Sequence, residues 1–213
     1  MAINKAIKNI DEIFKIFQRN NPYPKTELIY FDKYTLLIAV VLSAQTTDIS
    51  VNKATEKLFK VANTPQQMLT LGENKLKKYI ANIGLYNAKA RNVIKLSQIL
   101  IEKFNGEVPA NFDDLQSLPG VGRKTANVVL NCAFNQPTIA VDTHVYRLAH
   151  RLGFVKNKNF LETEQALLKI IPKDYLLHAH HWLILHGRYV CKAQKPSCHN
   201  CQINQLCLKK FTQ

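Results

Sequence analysis

The sequence predicts an all-α protein. Apolar residues recur every three or four positions along most of the chain, and helix-capping residues stand between the apolar stretches. Only one apolar run lacks a helical period, and no second candidate strand with turn residues accompanies it. The chain has 213 residues, 46% of them apolar and 21% charged, which is the composition of a globular protein rather than of a disordered one.

Two helices are predicted in the first part of the chain. The first has one apolar face and is expected to end at residues 20–22. Its apolar residues are Ile7, Ile10, Phe14 and Phe17. The second covers the aperiodic run Leu36–Leu42, which fits either a buried strand or a helix that is apolar on every side. Because no partner strand is found, we interpret this run as a helix.

Four further helices follow the periodic pattern, and each is followed by a glycine or an asparagine that can end it. Thr64 is expected to cap the first of them, with Pro65 at its first position. The predicted extents are about 65–71, 90–104, 145–152 and 173–186, and the terminating residues are Gly72, Asn105, Gly153 and Gly187.

A glycine-containing segment, Leu118–Thr125, joins two more predicted helices, over about 112–117 and 123–134. Gly120 and Gly122 can adopt positive φ and leave backbone N–H groups uncovered at the start of the second helix. A helix start of this kind can bind a phosphate group.

The residues after the two glycines favour anion binding over a plain tight turn, because the next helical turn begins Arg123-Lys124-Thr125. A nucleotide-binding P-loop needs G-x-x-x-x-G-K-[ST]. Here Arg123 separates Gly122 from Lys124, and no first glycine is suitably placed. The P-loop is therefore excluded, and the tight turn remains as the alternative.

Four of the five cysteines stand close together near the C-terminus, with the spacing C-x6-C-x2-C-x5-C; they are Cys191, Cys198, Cys201 and Cys207. Thiols this close need a metal centre or disulfides. The N-terminal segment has no export signal, so we expect a reducing compartment, in which disulfides are the least favoured explanation. Four thiolates suit either zinc or an iron–sulfur cluster, although zinc sites usually carry two C-x-x-C pairs and only one is present here.

The chain is strongly basic, with 29 lysines and arginines against 15 acidic residues and a net charge of +14. A surplus of this size on a folded domain favours a polyanionic partner, above all nucleic acid. A generally basic cytosolic protein is the alternative. The longest apolar run is far shorter than the roughly 20 residues that span a bilayer, so we expect a cytoplasmic protein without a membrane span.

The segment LPGVGRKTA, Leu118 to Ala126, resembles the helix-hairpin-helix motif of the endonuclease III family of DNA glycosylases. The resemblance covers most of the chain and includes the cysteine spacing. The other matching strings are LLIAVVLSAQTTD (Leu36 to Asp48), IGLYNAKA (Ile83 to Ala90), TIAVDTHV (Thr138 to Val145) and HHWLILHGRYVC (His180 to Cys191). The resemblance implies two helical domains. One covers 25–136, with the hairpin at about 112–134, and the other is formed by 1–24 and 137–213.

The resemblance implies a catalytic pair. By the motif of the family, Lys124 is the nucleophilic amine that attacks C1′ of a damaged nucleoside and holds the sugar as a Schiff base, from which the 3′ phosphate is eliminated. Asp142 is the essential carboxylate, which stabilises positive charge on the sugar as the glycosidic bond breaks. The alternatives are a phosphate-contacting cation for Lys124 and a helix N-cap for Asp142.

The resemblance also implies a [4Fe–4S] cluster with Cys191, Cys198, Cys201 and Cys207 as its ligands, in a loop over 191–207, with zinc as the alternative. Lys192 and Lys195 in that loop, together with Gly120, Gly122 and Arg123 of the hairpin, are expected to contact DNA phosphates. Gln45 and Leu85 match the residues that fill the gap left by an extruded nucleotide, although Leu85 can equally be an ordinary exposed loop residue.

The remaining cysteine and histidines are interpreted as structural. Cys132 is predicted in the middle of a helix as a small core residue. A group of histidines invites comparison with a metal site, but His180 and His181 fall inside a family string, so helix packing and polar surface are favoured. They are His178, His180, His181 and His186.

The function implied by the resemblance is removal of oxidised pyrimidines from double-stranded DNA, followed by cleavage 3′ to the abasic site. The enzyme is expected to be a monomer that associates with the bacterial nucleoid through DNA. Adenine-excising relatives have LQQTQV where this chain has LSAQTT, lack the hairpin lysine and carry an extra C-terminal domain. A different class of protein stays open as the alternative: a non-catalytic helix-hairpin-helix module that binds DNA and holds a structural metal.

Overall fold

The computed structural model describes residues 2–156 and 159–208, and side chains from Asn9 onward, so the side chain of Ile7 lies outside the described set. Within these residues the protein has eleven α-helices, one 3₁₀ turn at Cys198–Asn200 and no strand, which confirms the all-α prediction. The helices are α1 (Ala2–Asn20), α2 (Lys33–Leu42), α3 (Asp48–Leu58), α4 (Pro65–Leu71), α5 (Glu73–Tyr79), α6 (Tyr86–Phe104), α7 (Phe112–Ser117), α8 (Arg123–Phe134), α9 (Thr143–Leu152), α10 (Phe160–Ile170) and α11 (Lys173–Tyr189).

The aperiodic apolar run forms helix α2. Every side chain from Tyr34 to Leu42 is buried, which explains why the run shows no amphipathic period. Asp32 begins the helix by accepting a hydrogen bond from the backbone N–H of Thr35 at 2.8 Å, and the Thr35 hydroxyl accepts one from the N–H of Asp32 at 2.9 Å. These two polar residues set the start of an otherwise apolar helix.

The chain divides into two compact units. The first comprises residues 26–135 and contains α2 to α8. The second comprises residues 1–25 and 136–213, of which Met1, 157–158 and 209–213 lie outside the described residues; it contains α1, α9, α10 and α11.

Aromatic side chains hold the N-terminal helix in the core of the second unit. Phe14 is fully buried, and its ring centre lies 5.6 Å from that of Tyr175 and 6.0 Å from that of Trp182. The indole N–H of Trp182 donates a 2.8 Å hydrogen bond to the carbonyl of Asn21, just after α1 ends. Residues from opposite ends of the sequence therefore share one core.

Helix α11 does not end at Gly187, as the sequence predicts, but continues to Tyr189. A Cβ atom on Gly187 would lie 2.8 Å from the carbonyl oxygen of His144, in the first turn of α9. The glycine is thus a site of close helix packing rather than a terminator, and sequence alone does not distinguish these two uses. Within the described residues no helix is long and apolar enough to cross a bilayer.

Replacing Gly187 with alanine should destabilise the protein. Overpacking a well-filled contact costs about 1–3 kcal/mol, of which the better helix propensity of alanine offsets up to about 1 kcal/mol. We expect Gly187→Ala to lower the free energy of unfolding by about 1–2 kcal/mol in denaturant titrations followed by circular dichroism. Gly84→Ala is the control, because its added Cβ would lie at an ordinary 3.8 Å from the nearest atom. If Gly187→Ala and the wild type have the same free energy of unfolding, the contact between α9 and α11 adjusts to the added methyl group without cost.

Candidate functional site

The hairpin between α7 and α8 depends on Gly120. This residue has φ +82°, and a Cβ atom there would lie 3.0 Å from the side-chain nitrogen of Asn92 on α6. Both the positive φ and the close approach require glycine. The tight connection fixes where α8 begins.

Gly122 differs from the prediction that both glycines adopt positive φ. Its φ is −88°, an extended conformation that any residue can take, and it is the N-cap residue of α8. Among the described residues, apart from its chain neighbours, no atom lies within 4 Å of where its Cβ would be, and no side chain forms a capping hydrogen bond at the start of α8. The glycine therefore leaves open space in front of the helix start, where a phosphate group can approach.

Arg123 and Lys124 form the exposed first turn of α8. The Arg123 guanidinium lies 4.9 Å from the ring centre of Phe112, a cation–π contact that ties the starts of α7 and α8 together. Lys124, next along the helix, is exposed. The hairpin thus presents two cations beside an open helix start.

Two more residues of the first unit are exposed in an unusual backbone conformation. Gln45 has φ 54° and Leu85 has φ 59°, values that cost a bulky non-glycine residue about 1–3 kcal/mol. Leu85 is 64% exposed although its side chain is apolar. Gly84, which directly precedes Leu85, lies close to the Gln45 segment, since its Cβ would sit 3.8 Å from the carbonyl oxygen of Gln45. Gln45 and Leu85 are therefore carried by neighbouring loops.

A buried lysine that the sequence analysis did not single out lies behind these two loops. Lys89, in the first turn of α6, is only 5% exposed, and its ammonium donates to the carbonyls of Leu42 at 2.9 Å and Ala44 at 2.6 Å and to the hydroxyl of Thr46 at 2.9 Å. Its position among the buried residues of α6 was the available signal, because it lies one turn before Val93 on the apolar face.

Asp142 caps helix α9 in the second unit. Its Oδ1 accepts hydrogen bonds from the backbone N–H groups of His144 and Val145, both at 2.9 Å, and the side chain is half-buried. The capping role considered for Asp142 is therefore present. The carboxylate is held in place by the helix that it begins.

The four clustered cysteines line one pocket of the second unit, together with apolar side chains of α9 and His186 of α11. About 370 Å³ of space in this pocket, part of it open to solvent, is not filled by protein atoms. Burial raises the pKa of the Cys201 thiol, and the other three thiols of the pocket raise it further. Four thiolates here would therefore repel one another strongly without a positive centre between them. Among the described residues, no three His, Cys, Asp or Glu side chains converge closely enough to hold a single metal ion.

Two arginines of α9, neither identified from the sequence, hold the beginning of the cysteine loop. Arg147 donates to the carbonyls of Gly187 at 2.6 Å and Cys191 at 3.2 Å. Arg151 donates to the carbonyls of Lys192 at 2.6 Å and Ala193 at 3.0 Å. Burial and Arg151 lower the pKa of Arg147. Two like charges four residues apart on one helix face repel each other. This unfavourable spacing is the feature of the sequence that could have pointed to Arg147 and Arg151.

Lys192 and Lys195 are exposed in the loop that these arginines hold, and Lys195 has φ 49°. The neighbouring histidines are largely packed into the unit, as predicted. Burial, with a contribution from His178, lowers the pKa of His181 to about 4. His186 lies beside the cysteines, with its Nε2 3.5 Å from the sulfur of Cys201.

Cys132 lies apart from the cysteine pocket, on α8 of the first unit. It is not completely buried, but burial raises the pKa of its thiol to about 12. The thiol is therefore inert at neutral pH, in keeping with a packing role.

Comparison with known proteins identifies the relatives of this chain. A family model for HhH-GPD superfamily base excision DNA repair proteins matches residues 38–173. Endonuclease III of Rickettsia prowazekii (strain Madrid E) is 58% identical over 198 residues, which cover 93% of each chain. Endonuclease III of Escherichia coli (strain K12) is 57% identical over 196 residues, covering 92% of this chain and 93% of the relative.

Solved structures agree with these sequence relatives. A trapped covalent intermediate of endonuclease III with DNA has a TM-score of 0.89 and 48% identity, and the match covers 95% of this chain and 96% of that one. A thermostable thymine-DNA glycosylase has a TM-score of 0.81 and 25% identity, with 98% of both chains covered.

Removing the guanidinium of Arg151 should loosen the start of the cysteine loop. Hydrogen bonds from a charged donor contribute about 1.5–3 kcal/mol each, so we expect Arg151→Met to open the loop at least about 10-fold more often. Limited trypsin digestion should then cleave after Lys192 faster by a similar factor. Arg91→Met, on an exposed position of α6, is the control. Unchanged cleavage after Lys192 would mean that the loop is held by other contacts.

Proposed function

Because the chain belongs to the endonuclease III family of the HhH-GPD superfamily of base excision DNA repair proteins, we propose that it removes oxidised pyrimidines with Lys124 as its nucleophile. The protein is a DNA glycosylase and abasic-site lyase, and its substrate is DNA. The observation that carries the assignment of the nucleophile is the exposed lysine in the first turn of α8, a helix start that has no side-chain cap hydrogen bond within the described residues.

Lys124 supplies an amine that can form and break covalent bonds to the sugar. The neutral amine attacks C1′ of the damaged nucleoside, the bond from C1′ to the base breaks, and the base leaves with the bonding electrons. The C1′–O4′ bond then breaks, its electron pair goes to O4′ as the ring opens, and the lysine nitrogen forms a Schiff base with C1′. The Schiff base makes a proton on C2′ acidic, and loss of that proton expels the 3′ phosphate. A relative whose complex with DNA is a trapped covalent intermediate supports chemistry of this type here.

Asp142 is proposed to act on the same sugar through its negative charge. Positive charge develops on the ring oxygen and C1′ as the glycosidic bond breaks, and a fixed carboxylate lowers the energy of that state. The hydrogen bonds from His144 and Val145 keep the carboxylate in one orientation at no further cost during the reaction. The capping role and the catalytic role thus support each other.

Other exposed residues are proposed to bind DNA. In the hairpin, Gly120, Gly122 and Arg123 would bind a phosphate at the open start of α8, and Lys192 and Lys195 would bind phosphates from the cysteine loop. Gln45 and Leu85 would fill the gap left in the duplex by an extruded nucleotide. An apolar side chain that is 64% exposed on a strained backbone supports that role better than it supports an ordinary surface position.

A [4Fe–4S] cluster is the proposed occupant of the cysteine pocket. All four donors are thiols that line one pocket, and zinc sites usually carry two C-x-x-C pairs whereas only one is present here. Cys191, Cys198, Cys201 and Cys207 would hold the cluster, which when bound would cross-link the loop that carries Lys192 and Lys195. The proposed role of the cluster is therefore structural.

Changing Lys124 to glutamine should remove the covalent chemistry and leave DNA binding in place. A glutamine side chain is similar in length but is not a nucleophile. We expect Lys124→Gln to give no borohydride-trapped adduct and no strand cleavage, while its affinity for abasic-site DNA stays within about 10-fold of the wild type. Arg123→Gln is the matched control, and it should bind more weakly yet still form the adduct. An adduct of undiminished yield with Lys124→Gln would place the nucleophile elsewhere.

Changing Asp142 to asparagine separates its two roles, because asparagine caps helices as well as aspartate does but carries no charge. Base excision should fall by about 10²-fold or more, the usual effect of losing a positioned electrostatic group. The melting temperature should hardly change, whereas Asp142→Ala should also lose about 1 kcal/mol of stability. Unfolding of the asparagine variant, or excision at the wild-type rate, would reduce Asp142 to a helix cap.

The cysteine pocket should contain iron. Protein purified without exposure to air should be brown and carry about four iron atoms per chain. Cys201→Ser should lose iron and DNA affinity. Cys132 lies in the other unit, so Cys132→Ser should keep both. A colourless preparation with one zinc per chain would contradict the cluster.

A further inference from the structure

The end of helix α2 needs a partner that the helix itself does not provide. The last carbonyl groups of an α-helix have no intrahelical donor and carry partial negative charge. Helix α2 is buried along its length and has no basic residue in its last turn. The cation that meets this end, at the carbonyl of Leu42, comes from Lys89 on a different helix.

The same ammonium group holds both residues that flank Gln45. It donates to the carbonyl of Ala44 on one side and to the hydroxyl of Thr46 on the other. With the bond to Leu42, all three N–H donors of the ammonium are used. Within the described residues no carboxylate forms an ion pair with Lys89. Burial lowers the pKa of Lys89, and the three oxygen acceptors favour the charged form in compensation.

Lys89 is also fixed relative to Leu85. Its backbone N–H donates to the carbonyl of Leu85 at 3.1 Å, the first hydrogen bond of α6. Leu85 begins this helix without a side-chain cap and with a left-handed backbone. One residue therefore contacts the loop of Gln45 through its side chain and the loop of Leu85 through its backbone.

We propose that Lys89 is a positioning residue that fixes Gln45 and Leu85 as one rigid wedge for entry into damaged duplex DNA. The inference rests on the gap-filling role of these two residues given above. Because Lys89 is buried, it would affect DNA distortion without touching DNA. Strained backbone persists only where surrounding contacts enforce it, and the hydrogen bonds of Lys89 provide that enforcement on both sides of Gln45.

A fluorescence experiment can isolate this role from general effects on folding. The full-length protein is titrated with a duplex that carries a tetrahydrofuran abasic-site analogue, with 2-aminopurine opposite it in the complementary strand. Entry of the wedge into the gap changes the stacking of 2-aminopurine and hence its fluorescence. At saturating protein the amplitude reports the gap-filled state, and the rate of excision from a damaged duplex is measured in parallel.

Lys89→Met should lower the fluorescence amplitude as much as Leu85→Ala does, and the double variant should lower it no further, because both changes remove the same wedge. Excision from the duplex should fall by about 10- to 100-fold, the range expected when a positioning contact is lost. Lys95→Met, on an exposed position of α6, is the control and should behave as wild type. Thr46→Val removes one of the three acceptors and should give a smaller loss in the same direction.

The outcomes separate the two proposals. If Leu85→Ala and Gln45→Ala leave the amplitude unchanged, the gap-filling role fails and the role of Lys89 fails with it. If those variants lower the amplitude while Lys89→Met, folded with a native melting temperature, does not, only the inference about Lys89 is overturned. Should Lys89→Met not fold, Thr46→Val decides: a lowered amplitude at native stability supports the inference, and an unchanged amplitude overturns it.

Discussion

An α-helix leaves its first N–H groups and its last C=O groups without partners inside the helix, and a protein built only of helices must satisfy or use each of these ends. Here several of the candidate functional residues lie at such ends. Asp142 caps α9, Gly122 precedes α8 and offers no side-chain cap, and Leu85 begins α6. The end of α2 is met by Lys89. Helix ends therefore position several of the residues that are proposed to act on DNA.

A helix start with a side-chain cap and a helix start without one have different functional consequences. Where a side chain supplies the missing partner, as Asp142 does, the functional group becomes fixed in one orientation. At Gly122 the absence of a side chain leaves the positive end of α8 accessible to an anion. Lys124, the proposed nucleophile, stands in the first turn of this helix and would lie close to a phosphate bound there. In this account the hairpin serves both DNA binding and chemistry, because one helix start provides for both.

The features that depend on local sequence were predictable. The two hairpin helices α7 and α8 were predicted on either side of the glycine-containing segment, and α2 was interpreted as a helix because its aperiodic apolar run has no partner strand. The continuation of α11 past Gly187 was not predictable. This glycine allows close packing against the carbonyl of His144, which lies more than forty positions earlier in the chain. The partners of Lys89 and Arg151 are equally remote in sequence. Patterns of spacing indicate which helices form, whereas tertiary packing decides which buried cations hold which loops.

The proposed covalent bond between Lys124 and the DNA sugar can be located directly. The protein is trapped on damaged duplex DNA with borohydride, the adduct is digested to peptides, and the modified residue is identified by mass spectrometry. We expect the sugar remnant on the side-chain nitrogen of Lys124. A remnant on any other amine, or active protein that never forms an adduct, would show that Lys124 is not the nucleophile.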